Sequence, residues 1–490
     1  MPVDTPRSPA MRRRTLSIAS MAAAILVAAT VSARQTPDRS RPPAPGPAPV
    51  LKVPPIDRRT LSNGLRVWTV EMHEVPVAHF SLVVLSGAGA DPAGKFGLAH
   101  FTAAMLDEGA GKLDALALAD AVDFLGASLT TSSTFDASFV QLHTPASKID
   151  QALPLLADVV LRPSFPAAEL ERLRKERLTT LLQAKDNPAA IVGYGFNRLL
   201  FGDGHRYGTA AIGTEATNAA LAAADLTGFY AAHYQPQNAG LIVVGDVTAN
   251  TVVPKLEQAF GAWKNGAAVV RPSLPAPAQP AARQIYLVDK PGAPQSQIRI
   301  GGIGVARSTP DFHVLDVLNT TLGGSFSSRL NLNLREEHGY TYGAGSVFDM
   351  RRAPGPFYAA AGVQTDKTVE SLREFFKELD GMRSPMPAPE LSRVRNLLAL
   401  GYPGEFETTS NLAGKLADLF VYDLPDSFFG EYVTRIQAVT SADVERAAKQ
   451  YLPTDRFAVL VVGDLSKLEN PIRDANLGPV KVVPIAEIMR

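Results

Sequence analysis

Apolar and polar positions along this chain run through the same order twice. In the first round, Leu65-Arg-Val-Trp-Thr-Val70 and Ala78-His-Phe-Ser-Leu-Val-Val84 read as strands on either side of Pro76. Ala127-Ser-Leu-Thr-Thr-Ser132 and Ser138-Phe-Val-Gln-Leu-His143 read as two more strands, and a helical pattern fills Ala167 to Lys185. A helix closing on Tyr234-Gln-Pro236 then leads to the buried-strand run Gly240-Leu-Ile-Val-Val-Gly-Asp246. In the second round, Gln284-Ile-Tyr-Leu-Val288 and Gln297-Ile-Arg-Ile300 flank Pro294, and Val369 to Leu379 is helical. A helix closing on Tyr451-Leu-Pro453 leads to Ala458-Val-Leu-Val-Val-Gly-Asp464. Pro76 to Pro294 and Gly245 to Gly463 share one offset, 218 residues, so a domain of about that size is duplicated. Strands interleaved with helix pairs predict an α+β class: two homologous α/β-sandwich domains facing each other across a cleft.

Proline divides the chain. Arg271-Pro-Ser-Leu-Pro-Ala-Pro-Ala-Gln-Pro280 cannot bury a core and marks a linker over 271–283, between an N-terminal domain at 56–270 and a C-terminal domain at 284–490. Arg41-Pro-Pro-Ala-Pro-Gly-Pro-Ala-Pro49 marks a second tether, 34–55. Ahead of it, Arg12-Arg13-Arg14 precede the apolar run Met21-Ala-Ala-Ala-Ile-Leu-Val-Ala-Ala29, and Val31-Ser32-Ala33 offers a small-x-small cleavage site. This reads as a signal peptide, residues 1–33, for export to a bacterial periplasm. Uncleaved, the segment would serve as an N-terminal membrane anchor. No later run is apolar for long enough to span a bilayer.

Composition removes whole classes of chemistry. The chain has 490 residues, 46% hydrophobic and 20% charged, as a soluble globular protein with a large core requires. Its 48 Lys and Arg balance 48 Asp and Glu, so no net field draws it to nucleic acid. The absence of cysteine removes disulfides, thiol nucleophiles and thiolate-bound zinc together. No G-x-S-x-G, no metal-spaced histidine pair among the eight histidines and no glycine-rich phosphate loop is present.

One helix carries the outline of a catalytic motif. Gly97-Leu-Ala-His-Phe-Thr-Ala-Ala-Met-Leu-Asp-Glu-Gly109 has the layout of the inverted zinc-peptidase helix, H-x-x-E-H. In that motif two histidines one turn apart hold the metal, and the glutamate before the second activates water. Here His100 is kept, and Ala103 and Ala104 stand where the base and second ligand belong. Catalytic zinc needs three protein ligands and an open position, so a lone imidazole does not suffice. A second block, Leu322-Gly-Gly-Ser-Phe-Ser-Ser-Arg-Leu330 followed by Leu334-Arg-Glu-Glu-His-Gly-Tyr-Thr-Tyr342, lies in the other half.

Together, the duplication, Gly97-Leu-Ala-His100 and this second block resemble the pitrilysin/insulinase family of inverted zinc peptidases, in its mitochondrial-processing-peptidase-like branch. The resemblance spans roughly residues 56–470. It implies a third ligand, a glutamate on a distant helix; the family's spacing counted from Ala104 lands on Thr180, with Glu176 one turn away. The degenerate metal motif is therefore His100, Ala103, Ala104 and Thr180, and this chain is expected to bind no metal itself. The resemblance also implies an Arg/Tyr pair, matched by Arg335 and Tyr342, that hydrogen-bonds the scissile carbonyl as it becomes an oxyanion. Gly323, Gly324 and Arg329 are expected at the substrate. The paired glycines either let a peptide backbone approach or end a helix.

Family heterodimers with H-x-x-E-H on one subunit and Arg/Tyr on the other imply a metal-free subunit, inactive alone. Its partners are expected to be a homologous subunit that carries the zinc and an extended peptide substrate. Two other readings stay open: a peptide-binding envelope scaffold with no peptidase role, and an autonomous insulinase-like peptidase with an atypical site. His205-Arg206-Tyr207-Gly208 resembles a family segment and is expected to face substrate. The mixed-charge run Glu169 to Arg177 is expected to be a solvated helix face.

Overall fold

The computed structural model describes residues 54–490, together with Gly46 and Leu51. The segment expected to be a signal peptide, 1–33, and nearly all of the first tether lie outside the described residues. The duplication is plain in the two sheets. In the N-terminal half the strand order is Asp57–Thr60, Arg66–Glu71, Ala239–Gly245, Val77–Val84, Ser138–Pro145, Ser128–Ser133. In the C-terminal half, Val480–Val482, Gln284–Asp289, Ala458–Gly463, Gln295–Ile303, Pro356–Gln364 and Thr341–Phe348 repeat it.

In each half the closing strand is inserted between the two opening ones. It runs parallel to the first, as Arg66 pairs with Gly240, and antiparallel to the second, as Phe80 pairs with Val243. Gln284 with Ala458 and Ile300 with Val459 repeat the arrangement. Strands buried on both faces need apolar residues at every position, which is why these runs do not alternate.

What covers the second face was not legible locally. In Ala239–Gly245, Leu241 and Val243 face a core built by the helices of their own half. Ile242 and Val244 face Leu412, Leu416, Leu419 and Phe420 of the Thr409–Tyr422 helix, which belongs to the other half. The exchange is mutual. Ile191, Val192, Phe196 and Leu200 of the Pro188–Phe201 helix pack on Ala458, Leu460 and Val462 in the C-terminal sheet. Small residues let the borrowed helices close in. A Cβ on Gly240 would lie 2.2 Å from the Phe420 ring, and one on Gly195 would lie 2.7 Å from Ile488. The halves are thus knitted through exchanged helices, and not joined by the linker alone. Among the described residues no helix is long and apolar enough to cross a membrane.

Candidate active site

The motif helix is Leu98–Ala104, and an unusual residue starts it. Gly97 holds a left-handed backbone (φ 99°), and a Cβ there would lie 2.4 Å from the Ile212 carbonyl oxygen. The first N–H groups of a helix need acceptors, and Asp91 provides them: its carboxylate accepts from Gly97 N (2.7 Å) and Ala99 N (2.8 Å). Asp91 is in turn bound by Arg206, whose Nη2 lies 2.8 Å away. Arg206 also donates to the carbonyls of Ala88 (2.7 Å), Thr209 (3.0 Å), Ala210 (3.2 Å) and Ala211 (3.2 Å). Burial raises the Asp91 carboxyl and lowers the Arg206 guanidinium, and their mutual attraction opposes both shifts.

The expectation that His205–Gly208 faces substrate is therefore corrected. All four residues are buried, Tyr207 completely, because the Arg206 charge is satisfied inside the fold by a residue 115 positions away.

His100 sits half-buried on this helix, and a cation faces it. Arg177, buried on the Ala167–Ala184 helix, donates to His100 Nδ1 at 2.9 Å. The same guanidinium donates to Asn218 Oδ1 (2.7 Å), Ile212 O (2.9 Å) and Gly97 O (3.3 Å), and lies 4.5 Å from the Phe101 ring centroid. A guanidinium can only donate, so Nδ1 is the acceptor and the neutral ring carries its proton on Nε2. Neither nitrogen then offers a lone pair to a metal. Burial first, and the Arg177 charge second, push the His100 pKa down to about 4.

The rest of the degenerate motif offers no replacement ligand. Ala103 is fully buried and Ala104 half-buried. Thr180 is exposed, with its hydroxyl on the Glu176 carbonyl at 3.0 Å, and Glu176 pairs with Arg172 at 2.8 Å. The family count from Ala104 thus lands three residues beyond the side chain that meets His100. Among the described residues no three His, Asp or Glu side chains converge as a metal site would require. The residues present do not fit a zinc ion.

A signal for Arg177 was available. Leu170, Arg177, Leu181 and Ala184 form the buried stripe of their helix, so Arg177 interrupts an apolar face. Its neighbours Glu169, Arg172 and Glu176 do form the solvated i,i+3 and i,i+4 pairs expected of the run.

The second block is arranged differently. Thr341–Phe348 is the edge strand of its sheet, and its pairing register breaks between Thr341 and Ala344, putting Tyr342 at a bulge. Tyr342 is 89% exposed. Arg335 is exposed in the Leu332–Glu337 turn of helix before the strand; it pairs with Glu336 at 3.1 Å and lies 4.9 Å from the Phe326 ring centroid. Phe326 is itself 65% exposed.

The remaining predicted residues hold this region together. Arg329 makes a two-pronged pair with Glu390 at 2.9 and 2.6 Å, which raises its pKa. Gly323 and Gly324 both donate to the Asn319 carbonyl and end the Phe312–Leu322 helix. A Cβ on Gly323 would lie 2.2 Å from Ser346 N, so this glycine admits the edge strand itself.

Comparison with known proteins matches both halves. Residues 66–194 fit the family model described as Insulinase (Peptidase family M16), and 220–398 fit that described as Peptidase M16 inactive domain. An uncharacterized zinc protease of Streptomyces coelicolor is 26% identical over 86% of this chain and 92% of its own length. One of Mycobacterium leprae is 29% identical over 60% of this chain and 66% of its own. Among solved structures, a peptidase M16 inactive domain from Pseudomonas fluorescens superposes with a TM-score of 0.78 at 26% identity, covering 84% of this chain and 98% of that one. A protease from Helicobacter pylori shares the fold, with a TM-score of 0.79 at 21% identity, over 84% of this chain and 100% of that one. With one family's models matched in order along more than half of its residues, this chain belongs to the insulinase (M16) peptidase family.

Proposed function

We propose that this chain is the metal-free subunit of an exported, two-subunit insulinase-type peptidase. The observation that carries the reading is the exposure of Arg335 and Tyr342 beside an open sheet edge, while His100 is held by Arg177. Zinc, bound by the partner subunit, supplies the Lewis acid and the activated water of this family's chemistry. This chain's part is to bind and to polarise. The outward N–H and C=O groups of Thr341–Phe348 accept an extended peptide as an added strand. The Arg335 guanidinium and the Tyr342 hydroxyl donate to the carbonyl oxygen of the bond being cut, where negative charge develops. The leader at 1–33 directs the chain to the periplasm.

The test is reconstitution. The purified chain is expected to cleave no unfolded peptide, and zinc-dependent cleavage is expected on mixing it with a homologue that carries an intact H-x-x-E-H helix. Strong zinc-dependent hydrolysis by the chain alone overturns the reading. No activity with any such homologue, together with peptide binding, assigns it to a scaffold role.

A further inference from the structure

Where the two halves meet, arginines from three parts of the chain converge on a cavity of about 320 Å³. Arg66 begins a strand of the N-terminal sheet, Arg271 belongs to the linker, and Arg352 lies in the turn after Thr341–Phe348. Ser308, Tyr422 and Asp423 complete the polar wall. Arg66 lies over Phe420, 4.2 Å from the ring centroid. Among the described residues, Asp423 is the one carboxylate that attracts Arg66 and Arg271, from beyond hydrogen-bonding range. Arg352 donates to the Val421 carbonyl at 2.6 Å, and its Nε is buried with no acceptor. Asp136 lies behind Arg352, but one of its oxygens already accepts the Arg352 backbone N–H (3.1 Å) and the Tyr422 hydroxyl (3.0 Å).

Three guanidinium groups thus share one cavity with a single uncommitted carboxylate. They repel one another, and after burial the charges of Arg352 and Arg66 are what lower the Arg271 pKa. A bound anion converts that repulsion into charge-assisted hydrogen bonds, and the planar fork of arginine matches the oxygens of phosphate and carboxylate. The volume is at the small end of ligand pockets, which admits a metabolite-sized molecule and no folded partner.

We infer that this seam cavity is a binding site for a small dianion, held by Arg66, Arg271 and Arg352 with Ser308 as a further donor. The shared chemistry is a doubly charged oxyanion group, supplied either by a phosphate or by a dicarboxylate. Because its donors come from both halves and the linker, the bound anion bridges them.

Calorimetric titration and thermal unfolding of the whole exported chain test this, with inorganic phosphate, malonate and chloride compared at matched ionic strength. Saturable binding and a higher Tm are expected with a dianion and not with chloride. Phosphate alone binding assigns a phosphate ligand, and malonate binding as well or better assigns a dicarboxylate. Arg66→Gln and Arg271→Gln are each expected to weaken binding at least about tenfold, the scale of one charged hydrogen bond. Arg271→Gln should keep or raise the Tm of the unliganded protein, because it removes a repulsion. Three results overturn the site: no saturable binding of either dianion, unchanged affinity in both variants, or an equal Tm shift with chloride.

Discussion

The helix Leu98–Ala104, which carries His100, and the strand Thr341–Phe348, which carries Tyr342, stand in opposite surroundings. Around His100 the main polar contacts are internal: Arg177 on the imidazole, Asp91 on the helix start, Arg206 on Asp91. Around Tyr342 the chain leaves the side chain bare, and Arg335 meets only its neighbour Glu336 and an exposed ring. Beside His100, space and charge serve to hold the fold: a buried cation needs the acceptors that Arg177 finds there. In the second copy of the repeat, the position 218 residues after His100 is Leu318, buried and apolar. His100 thus departs from its repeat partner toward polarity, and its network is what makes that polarity tolerable.

The contrast is broken most severely by removing its internal anion. Asp91→Ala leaves Arg206 buried and unpaired and strips two N–H groups of their acceptor, so a loss of about 3–5 kcal/mol in urea unfolding is expected. A loss under about 1 kcal/mol would show that the network does not hold the helix.

Next comes the exposed side. Arg335→Ala and Tyr342→Phe are expected to leave the unfolding midpoint unchanged, and to lower kcat of the reconstituted pair about 100- to 1000-fold. Wild-type turnover in both variants would remove them from the chemistry.

The third test uses acid. His79 lies buried against His143 at 5.9 Å between ring centroids, and its pKa is pushed down to about 4, as is that of His100. Both folded values lie below the unfolded one, so from about pH 6.5 down to 4 the unfolded chain takes up protons that the folded chain refuses. Stability is therefore full above this window and falls as pH falls through it. Going from pH 7 to 5 should remove up to about 2 kcal/mol per histidine. In His100→Asn the pH-dependent loss should shrink by that share; an equal loss in variant and wild type would show that His100 titrates normally.

The smallest effect concerns the exchange of helices. Gly240→Ala pushes a methyl toward the Phe420 ring, which can turn, so about 1 kcal/mol is expected, at the low end of overpacking. A neutral result in unfolding experiments would mean that the Thr409–Tyr422 helix is loosely held.

Much of the fold was legible because it is repeated and locally periodic. Pro76 and Pro294 do precede equivalent strands, and Gly245 and Gly463 do close equivalent ones. The spans Ala167–Ala184 and Thr368–Gly381 match their helical patterns within a few residues. The helix exchange was not legible, since an apolar stripe shows that a face is buried and not against which half. The site divided in the same way. His100, Arg335 and Tyr342 are singled out by the family resemblance, whereas Arg177 and Arg206 act through partners far off in sequence. Arg177 sits in a charged helix and Arg206 in a segment expected to face substrate, and neither neighbourhood names the partner. Arg329 is conspicuous by its motif, and its partner Glu390 comes from another helix.

The exchanged helices have a consequence for how this protein can be taken apart. A protease cutting at residues 271–283 would yield two fragments that stay associated, each keeping a piece of the other inside its core. Genes split at that point are expected to give insoluble pieces when expressed singly and a working heteroduplex of fragments when expressed together.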